Sequence, residues 1–447
     1  MVTHSHQESY SRVKKAVPAI LFFFVFALTI DNSFKLISPA MAADLGVSAT
    51  TISWQATLAG LIIGIGAVVY ASLSDTISIR KLLIVGVIFI CIGSVLGFVF
   101  KASYVMILIS RVIQTSGLAA AETLYVIYVM KYLAIKDQKL FLGLSTSSYS
   151  LSLVIGSVTG GFISTYLDWT ILFLIPLLSL MLLPFFIKYI PKEESKKSSV
   201  DFIGLMLIAA TATSIMLYMT NFNWIFIVLA IVGFGVFLAY IKRSSNALIS
   251  ISFFQNKRFV NTLGIVAIVY SIQLGYIFMF PFLIQDIYGL ELDKVSLLLI
   301  PGYIVAVIVG ALSGKIGNIL SSKMTISIAV VSIAVSLFLP GLFVGNSVFI
   351  FAASMILFSG SFALLYAPLL DTCVGSIAKE KKGTAVGFYN LIINVSGSIG
   401  MSYTATLMDS LSYRSVLFVL SIFAAVAFLV YWLFVSRLKN EDAEEIR

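Results

Sequence analysis

Tyr70-Ala-Ser-Leu-Ser-Asp75-Thr-Ile-Ser-Ile-Arg80-Lys81 is a short polar stretch between two long apolar runs. Gly310-Ala-Leu-Ser-Gly314-Lys-Ile-Gly-Asn318-Ile-Leu-Ser-Ser-Lys323 repeats its layout. In each, a small residue (Ala71, Gly314) is followed at +4 by a short polar one (Asp75, Asn318) and at +9 by a base (Arg80, Lys323), at an offset of 243 residues. Gly143 and Gly387 open two further apolar runs, and Gly156 and Gly400 follow thirteen residues later, at an offset of 244. Two nearly equal offsets at corresponding places predict a chain built from two related halves. Parallel repeats about an axis normal to the membrane are a transporter arrangement.

Composition points the same way. The 447 residues are 60% hydrophobic and only 11% charged, whereas a water-soluble domain needs about 25% charged residues to wet its surface. A polytopic membrane protein is the class left. Fourteen apolar runs are long enough to cross the bilayer: about 16–38, 52–72, 82–100, 103–128, 141–162, 169–189, 203–220, 223–241, 260–281, 296–314, 324–342, 347–369, 385–406 and 415–435. The first is too long, and carries a charged pair, for a cleaved signal peptide. The net charge of +9 is not a nucleic-acid patch, because the bases fall in short clusters between runs. With both ends inside, 24 of the 29 Lys and Arg lie in cytoplasmic segments, as the positive-inside rule requires. The expected fold is all-α, with two six-helix bundles and two additional central helices. The expected division is 1–189, 190–258 with the two added spans, 259–435, and a cytoplasmic tail over 436–447. Cys91 and Cys373 form no CxxC or metal spacing.

These motifs resemble the major facilitator superfamily, and within it the fourteen-span drug/proton antiporters, closest to the tetracycline efflux proteins of Gram-positive bacteria. The family's loop between spans two and three, Gly-x-Leu-x-Asp-x-x-Gly-x-(Arg/Lys)-(Arg/Lys), is matched by Leu73, Asp75, Arg80 and Lys81, with Ala71 and Ser78 for the glycines. Its fourth-span Arg-x-x-Gln-Gly-x-Gly is similar to Arg111, Gln114 and Gly117, with Thr115 for a glycine. The antiporter signature of span five survives as Gly156, Gly160 and Gly161, with Ser157 where that family has proline and Ser152 where it has glycine. Asp31 and Pro39 stand in span one as in the tetracycline exporters, and Lys35 replaces a neutral polar residue. The resemblance implies a bacterial cytoplasmic-membrane protein, monomeric, with both termini inside. It implies a small-molecule substrate, protons and membrane lipid as partners, no nucleic acid, and no cofactor, although a substrate could arrive as a metal chelate.

Four ionisable residues lie inside runs: Asp31, Lys35, Arg111 and Glu122. Each costs about 2.5–3.5 kcal/mol at the membrane centre, so each is a functional candidate. Asp31 and Lys35 share a helix face at i, i+4. Either they satisfy each other, with Lys35 snorkelling outward, or Asp31 trades a proton or cation against Lys35. Arg111 and Glu122, eleven residues apart, lie on one stripe about 16 Å apart. Arg111 needs a carboxylate, and Asp31 is the candidate if spans one and four face each other. Glu122 has no base in its own span, and loss of water disfavours its charge. Such a carboxyl can carry a proton or recognise a cation. Asp31, Glu122 and Arg111 are therefore the candidates for proton coupling.

Lys35, Gln114, Tyr149, Ser152, Tyr270, Gln273, Asn390 and Asn394 are candidates to line a substrate cavity. Singly, such residues are helix–helix glue. Together they suit an amphipathic ligand with rings. Asp75, Arg80, Lys81 and Asn318 are the expected gating loops, and Gly156, Gly160 and Gly161 the close-packing positions. No Walker motif, HExxH or nucleotide fingerprint occurs, so an enzyme is not expected. The first functional reading is proton-coupled export of tetracycline-like or other amphipathic drugs. The alternative is proton-coupled transport of another solute, such as a fatty acid or a lipid-linked or anionic metabolite.

Overall fold

The computed structural model describes residues 2–74, 77–192, 201–244, 251–375, 377 and 382–435. Asp75, most of the 190–258 linkers' polar stretches and the expected tail at 436–447 lie outside these residues. The described chain is helical throughout. Its helices are α1 (Val2–Leu36), α2 (Ser38–Leu45), α3 (Ala49–Ser74), α4 (Ile79–Val99), α5 (Tyr104–Tyr132) and α6 (Ile135–Tyr166). Two 3-10 stretches, Trp169–Phe173 and Ile175–Leu182, then run into α7 (Leu183–Tyr189). Next come α8 (Phe202–Asn221), α9 (Trp224–Arg243) and the short α10 (Ile251–Gln255). The chain continues through α11 (Lys257–Tyr288), α12 (Leu292–Ile319), α13 (Ser322–Leu342), α14 (Val348–Val374), α15 (Lys382–Ser410) and α16 (Tyr413–Val430).

Local signals set the helix ends. Ser103, Asp201, Asn256 and Ser321 cap helix starts by accepting backbone N–H groups two or three residues into the helix. Gly289, at φ 63°, closes α11 in the left-handed conformation that lets the chain reverse into α12. Pro176 and Pro184 sit at the starts of the second 3-10 stretch and α7, where a missing N–H costs least.

Twelve described helical segments, not fourteen, are long and apolar enough to cross a membrane. The expected runs 141–162 and 385–406 are helical, within α6 and α15, but neither qualifies. Both are rich in hydroxyl and amide side chains, among them Ser148, Ser152, Asn390, Asn394, Ser398 and Thr404. The runs at 203–220 and 223–241 do qualify, as α8 and α9.

The expected plan of two discrete six-helix bundles with two central helices is also corrected. α3 packs along α15, and α6 along α12, nearly as extensively as the best-packed neighbours within each half. Glycines allow it: a Cβ added at Gly60 would lie 2.5 Å from Ser398 Oγ, and one at Gly161 2.5 Å from the Leu292 carbonyl oxygen. α8 rests on α15, while Phe202, Met206, Trp224, Val228 and Ile231 of α8 and α9 point outward. These two helices are peripheral rather than central. Their exposed faces are apolar because lipid, not water, is the solvent there.

The two ends of the assembly differ. At the end remote from Arg80 and Lys81, Tyr166 of α6 donates to Asp293 Oδ2 of α12 at 2.8 Å. The Asp293 N–H donates to Thr165 Oγ1 at 3.1 Å, and the Thr50 N–H to Asp409 Oδ2 at 3.2 Å. Toward the basic end Tyr149 and Leu151 of α6 are exposed, and so are Gly314, Gly317 and Asn318 of α12.

Candidate functional site

The interior charges are brought together by α1 and α5. α1 and α5 lie side by side, which sets Asp31 opposite Arg111. Each oxygen of the Asp31 carboxylate takes a different cation: Oδ2 holds Lys35 Nζ at 2.6 Å, and Oδ1 holds Arg111 Nη2 at 2.7 Å. The Lys35 side chain is 13% exposed. It turns inward to Asp31 instead of snorkelling to the boundary. Arg111 is fully buried, with its guanidinium 4.3 Å from the centre of the Phe34 ring. Its Nη1 donates to Gln114 Oε1, and Gln114 Nε2 donates to Ser94 Oγ of α4 at 2.9 Å. Arg111 Nε has no hydrogen-bond partner among the described residues.

Glu122 lies three turns along α5 toward the basic end. It is half-buried and makes no hydrogen bond or ion pair among the described residues. It lies on α5, which packs against α1, α3, α4 and α6.

Several of the expected lining residues meet aromatic side chains. Tyr366 Oη donates to Asn390 Oδ1 at 3.4 Å, and the Tyr366 and Tyr389 rings meet edge-on at 5.9 Å. Tyr270 packs against Phe362 at 5.9 Å. Tyr149, 38% exposed, is the most open of the group. Of the other expected lining residues, Ser152 Oγ accepts from Asn32 Nδ2 at 3.3 Å, and Gln273 is half-buried on α11. Asn394 turns its amide back onto the Asn390 carbonyl at 3.1 Å, with α3 against its side chain. Tyr303, Tyr366 and Tyr389 were not singled out by sequence, and neither were Phe34 and Ser94. Among the chain's 20 tyrosines and 35 phenylalanines, no spacing marks these out.

The expected packing glycines bring α6 onto two partners. A Cβ at Gly156 would lie 2.8 Å from the Thr29 carbonyl oxygen of α1, and one at Gly160 2.9 Å from that of Ser33. Gly161 faces α12 instead. In the expected gate, Asp75 lies outside the described residues, Arg80 is half-buried at the start of α4, and Lys81 and Asn318 are exposed. Among the described residues no group of three or more His, Cys, Asp or Glu is placed to hold a metal.

A sheath of apolar helices around a buried ion cluster is the build of a membrane carrier. The profile of the Major Facilitator Superfamily matches residues 19–401 and 262–446, and the chain belongs to that family. It is a multi-pass membrane transporter, not an enzyme. The chain is 22% identical over 412 residues to the riboflavin transporter RibZ of Clostridioides difficile (strain 630), covering 90% of each. It is 25% identical over 403 residues to the quinolone resistance protein NorB of Staphylococcus aureus (strain bovine RF122 / ET3-1), covering 86% of this chain and 85% of the relative. The likeness is thus to drug and solute transporters of this superfamily, not to tetracycline efflux in particular. Among solved structures, a POT family transporter in complex with a thioalcohol-conjugated peptide aligns with TM-score 0.72 and 15% identity, over 94% of this chain and 96% of that one. A D-xylose-proton symporter aligns with TM-score 0.67 and 14% identity, over 96% and 98%. These two likenesses concern the fold alone.

Proposed function

We propose that this protein couples the movement of a small, ring-bearing organic solute to that of protons, with its basic end in the cytoplasm and both termini inside. The observation that carries the reading is the contrast between two interior carboxyls. Asp31 is bonded to two cations, while Glu122 is half-buried and bonded to nothing among the described residues. A charge without a partner is costly away from water, and a carboxyl so placed is suited to take up and release a proton as its surroundings dry and wet. Asp31, Lys35 and Arg111 form the fixed counterpart that senses which state Glu122 is in. The tyrosines among the expected lining residues suit a flat ring system carrying a few hydrogen-bonding groups. Two relatives, named for riboflavin and quinolones, support a solute of that shape.

Neither of these two relatives is named for tetracycline. An anionic metabolite or fatty acid is less well supported, because Lys35 and Arg111 are both engaged by Asp31, which an anion would have to displace. The test is Glu122→Gln in proteoliposomes under an imposed pH gradient, with riboflavin and ciprofloxacin as probes. Gradient-driven accumulation should disappear while binding of the transported probe persists. Accumulation at the wild-type rate would remove Glu122 from the coupling.

A further inference from the structure

Arg111 is oriented by three contacts: Asp31 on one nitrogen, Gln114 on another, and the Phe34 ring against its face. Two of these leave its position open. A ring face tolerates sliding, and Asp31 is shared with Lys35. The remaining contact is to a side-chain amide, whose two ends are chemically opposite. Only the oxygen of Gln114 can accept from a guanidinium; the reversed amide would set N–H against N–H. Arg111 thus sets which end of the amide faces it, and the position of that amide must be held from its other end.

Ser94 holds the other end: its hydroxyl oxygen accepts from Gln114 Nε2 at 2.9 Å, which anchors the amide where its Oε1 accepts from Arg111. Ser94, Gln114 and Arg111 are all fully buried, so water cannot substitute. The backbone is arranged to permit the contact. A Cβ at Gly93 would lie 2.5 Å from the Gln114 nitrogen, and one at Gly117 2.2 Å from the Gly86 carbonyl oxygen. α4 and α5 thus touch along their backbones where Ser94 meets Gln114.

We propose that Ser94 of α4 is a positioning residue that acts through Gln114 to hold Arg111 on Asp31, so that α4 belongs to the coupling element. The ordered chain is Ser94–Gln114–Arg111–Asp31–Lys35, crossing α4, α5 and α1. This rests on the reading that the Asp31 cluster takes part in proton coupling.

The test uses Ser94→Ala, Ser94→Thr and Gln114→Glu in the full-length chain, reconstituted in vesicles and normalised to folded protein by size-exclusion chromatography. Gradient-driven uptake of riboflavin and ciprofloxacin is measured across neutral pH. Ser94→Ala should lower the maximal rate by about tenfold, the scale of one hydrogen bond in a charged network. It should also displace the pH profile, with half-saturation by the probe unchanged. Ser94→Thr, which keeps the hydroxyl, should restore both. Gln114→Glu sets a second carboxylate against Arg111 and should displace the profile further. A Ser94→Ala protein with wild-type rate and profile overturns the proposal, as does a loss that vanishes on normalisation or that Ser94→Thr leaves unrepaired. If the wild type itself takes up neither probe under a gradient, the function proposed above fails on its own account. Ser94 is then decided by the structure of Ser94→Ala: Arg111 still on both Asp31 and Gln114 would overturn the assignment.

Discussion

Removing Asp31 and removing Lys35 are unequal changes. Asp31→Asn leaves two cations, one of them fully buried, facing a neutral amide. Breaking a buried pair in this way costs about 3–5 kcal/mol. Lys35→Met leaves the Asp31–Arg111 pair intact, and the removed group was the more exposed of the two cations. Thermal unfolding in detergent should therefore show a large loss for Asp31→Asn and a smaller one for Lys35→Met. Glu122→Gln removes no described partner and should change stability by no more than about 0.5 kcal/mol. Equal destabilisation by Asp31→Asn and Lys35→Met would mean that Lys35 and Arg111 hold Asp31 equally. The pairing itself was legible in the sequence, because so few interior charges leave few ways to satisfy them. The i, i+4 spacing put Lys35 on the same face as Asp31, and Arg111 was its candidate partner on the condition, implied by the resemblance, that spans one and four face each other. Phe34 and Ser94 were not legible, since one phenylalanine or one serine in an apolar run looks like any other.

Among the helices, α6 and α15 are where sequence and structure part most. Each joins the two halves, α6 lying against α1 and α12, and α15 against α11 and α3. A helix walled on both sides by protein can carry polar side chains, because lipid need not solvate it. That explains why the runs 141–162 and 385–406, expected to be apolar spans, fall outside the twelve. The paired glycines that suggested the repeat mark corresponding contacts: Gly156 meets α1, and Gly400 meets α11, where an added Cβ would lie 1.9 Å from the Ser271 carbonyl oxygen. Backbone cannot yield as a flexible side-chain end can. Gly400→Ala should sharply reduce the yield of folded protein, while Gly387→Ala, with nothing within 4 Å of its added Cβ, should be tolerated. Fluorescence-detected size-exclusion profiles of the two variants check this. Equal yields would mean that α15 can slide on α11 without loss. The sequence foresaw glycine at these positions but not which helix each would meet, since that depends on the assembled fold.

For the whole molecule, the asymmetry of the two ends carries the transport argument. The remote end is shut by three hydrogen bonds across the halves, two of them accepted by carboxylates: Tyr166 to Asp293, and the Thr50 N–H to Asp409. The third runs from the Asp293 N–H to Thr165. Asp293 is buried but Tyr166 is exposed, and the Thr50–Asp409 bond lies at the surface, so water competes for both. Each is therefore worth less than the about 1.5–3 kcal/mol of a shielded bond to a carboxylate. At the basic end Gly310, Gly314 and Gly317 of α12 meet nothing within 4 Å of an added Cβ. A carrier must visit the opposite arrangement, so these bonds have to break in each cycle. Weakening them should shift the population toward opening at the remote end. A loss of 1.4 kcal/mol corresponds to about tenfold in that equilibrium. Asp293→Asn and Tyr166→Phe should each raise labelling of a cysteine at Gln273 by a reagent added from the remote side. The double variant should add little to either single one, because both remove the same bond. If labelling from that side stays at the wild-type level in all three, closure rests on the packing of Gly161 against α12 instead. Gly161→Ala, which would press its Cβ onto the Leu292 carbonyl oxygen, should then be the change that opens it.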